Sequence, residues 1–209
     1  VVSAALVLLA IGQLACVAWL IVASRPHEPI DRARWLIVLV GCGLAYDSAV
    51  FGLGAILGEG TVLHALSVMR FVGHVVLTPL LVVWAGDRFF RERRWVWPAV
   101  AILVVWGAYT DLLRIDLVPK TFGDTLRYTH AVPAGPPIPA LAVTVVLLIA
   151  GVRLWRERRW TWLLAGVIAL IAASAAAPVV PPLGNAGEGA LLVALVATEL
   201  AVVSRKPAI

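Results

Sequence analysis

Apolar stretches of roughly 17–25 residues recur along the whole of this chain, and each can cross a hydrocarbon core of about 30 Å. Such runs bury their own backbone polar groups only as helices, so the repeated pattern points to a polytopic helical membrane protein. Composition agrees. Of the 209 residues 62% are hydrophobic and 14% charged, against about 25% charged in an ordinary soluble domain. The mean hydropathy is +0.97.

The pattern predicts an all-α, seven-transmembrane-helix bundle forming a single domain over 1–209. Its helices are expected at about 1–23, 35–57, 62–85, 95–111, 137–154, 160–178 and 186–203, with an outer loop at about 111–136. The first segment lacks a positive n-region and a cleavage site, and reads as a true helix rather than a signal peptide. The missing initiator methionine implies a trimmed start.

Charge in the connections sets an expected orientation. Arg25, Arg32 and Arg34 follow the first helix, and Arg88, Arg91, Arg93 and Arg94 follow the third. Arg153, Arg156, Arg158 and Arg159 follow the fifth, and Arg205 and Lys206 follow the last. The intervening turns are nearly free of Lys and Arg. By the positive-inside rule the Arg-rich side is cytoplasmic, with the N-terminus outside and the C-terminus inside, in a plasma membrane of bacterial type. The net charge of +5 is thereby explained without nucleic acid.

Two Arg-rich loops, 88–97 and 153–162, share an Arg-Glu-Arg-Arg-Trp-x-Trp core. A duplication would produce this. So would convergence on Arg and Trp at the interface, which the dissimilar flanking helices favour. The long outer loop carries Asp111, Arg114, Asp116, Lys120, Asp124, Arg127 and His130 before a Pro-rich run at 133–139. It reads either as a lid or as a solvated connector.

The informative residues are ionisable groups inside the apolar spans, where each costs at least about 2.5–3.5 kcal/mol without a partner or cavity. Asp47, Arg70 and His74 lie on a helical hairpin that turns near Glu59. At about 1.5 Å per residue they sit roughly 16–23 Å from its outer end. Arg70 and His74 share one helix face, so Asp47 can pair with either or both. A structural ion pair needs no third titratable group, and His74 is the one left over. Tyr46, Ser48, Ser67 and Thr78 flank the cluster, while Glu59, His64, Asn185 and Glu188 are expected along the outer ends. Together they describe a pocket open to the outer face. Glu199 is expected to pair with Arg205. Cys16 and Cys42 read as packed thiols, and Ala172–Ala177 and the glycines of the second helix as close-packing faces.

Metal, Walker and nucleophile-elbow motifs are absent. Four histidines, His27, His64, His74 and His130, do not supply paired haem ligands on facing helices.

Arg70-Phe71-Val-Gly73-His74-Val-Val-Leu-Thr78-Pro79-Leu80-Leu81 resembles the third helix of microbial rhodopsins, with its Arg-aromatic pair and Thr-Pro-Leu-Leu. The resemblance implies a seven-helix bundle with the N-terminus outside. Gly73 stands where that family usually has its carboxylate counter-ion. The lysine of the last helix that binds retinal in that family is missing, since the lysines are Lys120 and Lys206. Covalent retinal is therefore excluded, and no cofactor is expected.

The expected function is binding of a lipid-like or small amphiphilic molecule at Asp47, Arg70 and His74. Alternatives are a lipid-modifying enzyme with His74 as base, Asp47 orienting it and Ser48 or Ser67 as nucleophile, a proton-coupled carrier, or a structural subunit. Membrane lipids are the expected surroundings, and a homo-oligomer or larger membrane complex stays open.

The orientation is testable. With Cys16 and Cys42 replaced, Glu92→Cys and Glu157→Cys should react with an impermeant maleimide only after the membrane is opened. Glu59→Cys should react in intact cells. The reverse pattern would refute the assignment.

Overall fold

The computed structural model describes residues 1–23, 31–113, 115–132 and 136–203. Arg25, His27, Arg114, Arg205 and Lys206, named above, lie outside the described residues. Helix α1 spans Val2–Val22, α2 Arg32–Leu57, α3 Thr61–Leu77, α4 Leu80–Phe89 and α5 Val96–Gly107. After a two-stranded sheet come α6 (Ile138–Arg158), α7 (Trp162–Ala176) and α8 (Pro182–Thr198). Five helical segments are long and apolar enough to cross a membrane: Val2–Val22, Arg32–Leu57, Thr61–Phe89, Ile138–Arg158 and Pro182–Ala201. Val96–Leu112 and Trp162–Ala176 are shorter apolar helices. The bundle turns ordinary burial inside out. Leu8, Ile11, Ile102, Val105, Leu141 and Ile168 are each at least half exposed on its outer surface, as lipid-facing side chains are.

The third expected helix is interrupted. Pro79 has no N–H to give to the preceding turn, so the chain tightens there before α4 resumes. Leu81 N–H donates to Thr78 and Val82 N–H to Pro79, three residues back. Between α2 and α3 the chain reverses at Gly58, whose φ of +71° favours glycine.

The outer loop departs from the all-α expectation. Strands β1 (Leu117–Phe122) and β2 (Thr125–His130) pair antiparallel, from Leu117 opposite His130 to Phe122 opposite Thr125. The two-residue turn Gly123-Asp124 joins them, with Gly123 at φ +58°, as a II′-type hairpin requires. Gly-Asp between residues of high β propensity was a readable hairpin signal. This hairpin is docked. Leu126 is buried with Val50 and Leu63. Asp124 accepts from the backbone N–H groups of Val2 (2.8 Å) and Ser3 (3.2 Å), capping α1.

Small residues set the closest helix contacts. A Cβ on Gly166 would lie 2.3 Å from Ala194 Cβ, and one on Gly187 2.6 Å from Ala173 Cβ, so α7 and α8 touch nearly backbone to backbone. Gly41 and Gly52 admit α1 in the same way. The expected close-packing role holds for these positions. Gly54 instead meets the hairpin.

The end of the bundle away from the hairpin is closed by charge. Glu199 is fully buried and accepts from Arg34 Nε (3.3 Å), Trp84 Nε1 (3.0 Å) and Arg88 Nη2 (2.5 Å). The side chain points inward, and its partners among the described residues come from α2 and α4; the expected pairing with Arg205 falls outside the described residues. Arg88 also binds Asp31 (2.7 Å), which caps α2 by accepting from Arg34 N–H (3.0 Å). Partial burial raises the Asp31 carboxyl, but the Arg34 N–H and the Arg88 guanidinium outweigh it and hold it below the usual carboxylate range. The two similar loops also lie here and fold differently. Helix α4 ends at Phe89, whereas α6 continues to Arg158, four residues beyond the equivalent Leu154, before Arg159 turns at φ +55°. The difference favours convergence over duplication.

The hairpin seat has no room at Gly54, where a Cβ would fall 1.7 Å from the Leu126 carbonyl oxygen. Gly54→Ala should therefore lift β2 from α2, costing about 1–3 kcal/mol in unfolding in detergent. It should also open the 117–130 segment to limited proteolysis. Unchanged melting and cleavage would show that the hairpin is not seated there.

Candidate ligand-binding site

Three helices converge on one carboxylate. Asp47 projects from the middle of α2, and its Oδ1 accepts from Arg70 Nε on α3 at 2.5 Å. Its Oδ2 accepts from Asn185 Nδ2 on α8, and the same amide lies 3.4 Å from Ser48 Oγ. The Asp47–Arg70 pair inferred from depth alone is thus present. Asn185, expected at an outer end, reaches inward because α8 begins at Pro182 and carries it into the first turn. The pair is only partly shielded, with side-chain exposures of 11% for Arg70 and 23% for Asp47. Arg70 spends Nε on the carboxylate, while its buried Nη1 has no partner. An unpaired guanidinium nitrogen at this depth is a costly vacancy and a ready donor.

Two cavities border this pair, and a third adjoins them at His74 and Glu188. A vestibule of about 420 Å³ is bordered by Asp47, Arg70, Asp111, Arg127, His130 and Asn185. A chamber of about 520 Å³ runs inward between apolar side chains, among them Leu81, Leu147, Leu170 and Leu195. A slot of about 490 Å³ lies between α2 and α3. His74 and Glu188 border all three. His74 is exposed to these cavities although protein surrounds it on all sides. Among the described residues, neither His74 nor Glu188 makes a hydrogen bond or ion pair. Glu188, expected at the rim, sits at the junction.

Sequence reasoning missed part of the vestibule wall. Arg127 and His130 belong to β2, and recognising the hairpin would have placed them near the site. The Arg127 guanidinium rests 4.6 Å from the Phe51 ring centroid. Burial, reinforced by the Arg70 charge and opposed by Asp47, pulls Arg127 down to about 10, still cationic at neutral pH. His130 meets Phe71 edge to face at 4.6 Å. Asp111 lies on the π-helical turn ending α5. Gln13 of α1 is buried without a partner, and no residue pattern flagged it.

Other expectations separate from the site. Tyr46 lines the slot and donates to the Leu66 carbonyl (2.9 Å), bridging α2 to α3. Thr78 borders the slot and the chamber. Glu59 and His64 border none of the three cavities. His64 is exposed and stands edge to face on Tyr128 at 5.1 Å. Ser48 and Ser67 are fully buried and border none of them either. Among the described residues, no group of three or more His, Cys, Asp or Glu is placed to hold a metal.

No family model, curated protein or solved structure matches the chain. The chemistry of the site is therefore read from its own residues. It offers guanidinium donors and two imidazoles on one side of a junction, and an apolar chamber on the other.

Asp47→Ala strands Arg70 in a poorly solvated position and should cost about 3–5 kcal/mol. Removing both ends, in Asp47→Asn/Arg70→Gln, should cost less than the sum of the single changes. The coupling expected from a double-mutant cycle is about 0.5–3 kcal/mol. Additive losses would mean that the pair does not hold α2 to α3.

Proposed function

We propose that this chain is an integral membrane protein that binds a lipid-like or small amphiphilic molecule in an intramembrane pocket opening toward the hairpin end. The observation that carries this reading is the meeting of a polar vestibule and an apolar chamber at His74 and Glu188. The polar end of the ligand faces Arg70, Arg127 and the imidazoles, and its apolar body lies in one of the apolar spaces that adjoin them. The seven apolar helices cross the membrane, with the hairpin outside and the Arg-rich, Glu199 end in the cytoplasm. The Arg content of the loops supports that orientation. Five helical segments have the length for it, and Val96–Leu112 and Trp162–Ala176 are shorter apolar helices.

Binding is favoured over catalysis by what the candidate nucleophiles and base do. Ser48 and Ser67 are away from the cavities, and His74 has no hydrogen bond to Asp47 that would orient it as a base.

Native mass spectrometry of the gently purified protein should show a defined adduct, absent from a folded Asp47→Asn/Arg70→Gln variant. A bare wild-type spectrum, or an adduct equally present on the variant, would refute the reading.

A further inference from the structure

The slot between α2 and α3 is a defect in an otherwise tight bundle, and its shape is specific. Its floor, toward the Glu199 end, forms where Leu77 leans over Gly43, with Cδ1 2.5 Å from where a Cβ would stand. Its ceiling is the Tyr46–Leu66 hydrogen bond. Between them Gly73 faces open space, with no atom within 4 Å of the position its Cβ would take. Several other helix glycines of this bundle do the opposite. Gly166, Gly187 and Gly41 draw helices together until a methyl group would collide. At Gly73 the missing side chain leaves a void.

The void has an inside and an outside. Met69, Gly73 and Leu77 form one stripe of α3, and Leu39, Gly43 and Tyr46 form the facing stripe of α2. Leu39 and Met69, 49% and 55% exposed, and the exposed Cys42 make its outer rim. The rim is apolar and opens on the lipid-facing surface. The back wall is Asp47, Arg70 and His74. Arg70 stands on α3 between rim and vestibule, borders both cavities, and carries the partnerless Nη1.

We infer that this slot is an access route from the bilayer, and that it holds the alkyl chain of a single membrane-derived amphiphile whose anionic or carbonyl head sits on Arg70. The inference rests on the binding function above and adds the ligand's route, its posture and the chemistry of its head. An alkyl chain is the one occupant that matches an apolar rim opening on hydrocarbon, since water gains no partners there. The head is an acceptor because the guanidinium of Arg70, which has donors beyond the one given to Asp47, borders the back of the slot. Gly73 is the specificity element, since a bulky side chain at this position fills the passage.

The test uses palmitic acid carrying a diazirine, added to the full chain in phosphatidylcholine nanodiscs and photolysed with or without excess unlabelled palmitate. Competable crosslinks should map to 39–46 and 69–77. Gly73→Phe, whose ring has open space to enter, should reduce them at least about tenfold, equivalent to about 1.4 kcal/mol in affinity. Gly73→Ala should retain them, and both variants should melt like the wild type. Competable crosslinks concentrated on Leu170, Ile171 or Ser174, or indifferent to Gly73→Phe, would overturn the slot while leaving the pocket standing. Native mass spectra of the same preparation separate the two failures. An adduct without competable slot crosslinks sinks the slot alone. Neither adduct nor crosslinks sinks both proposals.

Discussion

The Asp47 carboxylate is the point at which α2, α3 and α8 are tied together. A charge in an apolar span is tolerated only if it is neutralised and hydrogen-bonded, and here Arg70 and Asn185 answer both needs at once. The geometry of that answer shapes everything near it. Arg70 is pulled inward by its Nε, which leaves Nη1 without a partner. Asn185 draws the first turn of α8 to α2, and Glu188, one turn further on, is thereby brought to the junction of the three cavities. A purely structural ion pair would consume its own hydrogen-bonding capacity. This one keeps some in reserve, beside an imidazole with nothing to bind.

The two ends of the bundle solve the same electrostatic problem in opposite ways. At the Glu199 end Trp84 and Arg88 donate to the buried carboxylate, Arg88 reaches Asp31 as well, and Arg32 pairs with Asp87. At the hairpin end the charges line a cavity. The hairpin contributes to that openness as much as it covers it. Leu126 and Asp124 fasten it to α2 and α1, while Arg127 and His130 are left along the vestibule. A fully satisfied cluster rigidifies its surroundings, and a partly satisfied one is where a ligand gains most.

Helix positions and the ionisable trio were legible because apolar periodicity and the cost of burying charge act locally. Counting residues to the turn at Glu59 put Asp47, Arg70 and His74 at a common depth, and the tertiary structure selected Arg70 as the partner of Asp47. The partners that Glu199 has among the described residues left no local signal, since they come from 111 and 165 residues away. The hairpin was not read from its Gly-Asp turn, and from sequence the outer loop reads as either a lid or a solvated connector. Gln13 left no trace in the pattern of its neighbours.

The sequence by itself determined the solvent of this protein, the rough extent of its helices and the depth of its buried charges. Each of these depends on side-chain polarity counted along the chain. Tertiary structure decided which polar group stays unpaired, where cavities remain and which glycine marks a contact or a gap. These depend on helix rotation and separation, quantities of an ångström or two that no residue carries alone. Gly166 and Gly73 are the same residue in the same kind of helix. One lies against Ala194 and the other against nothing, and only the neighbour that each happens to face makes the difference.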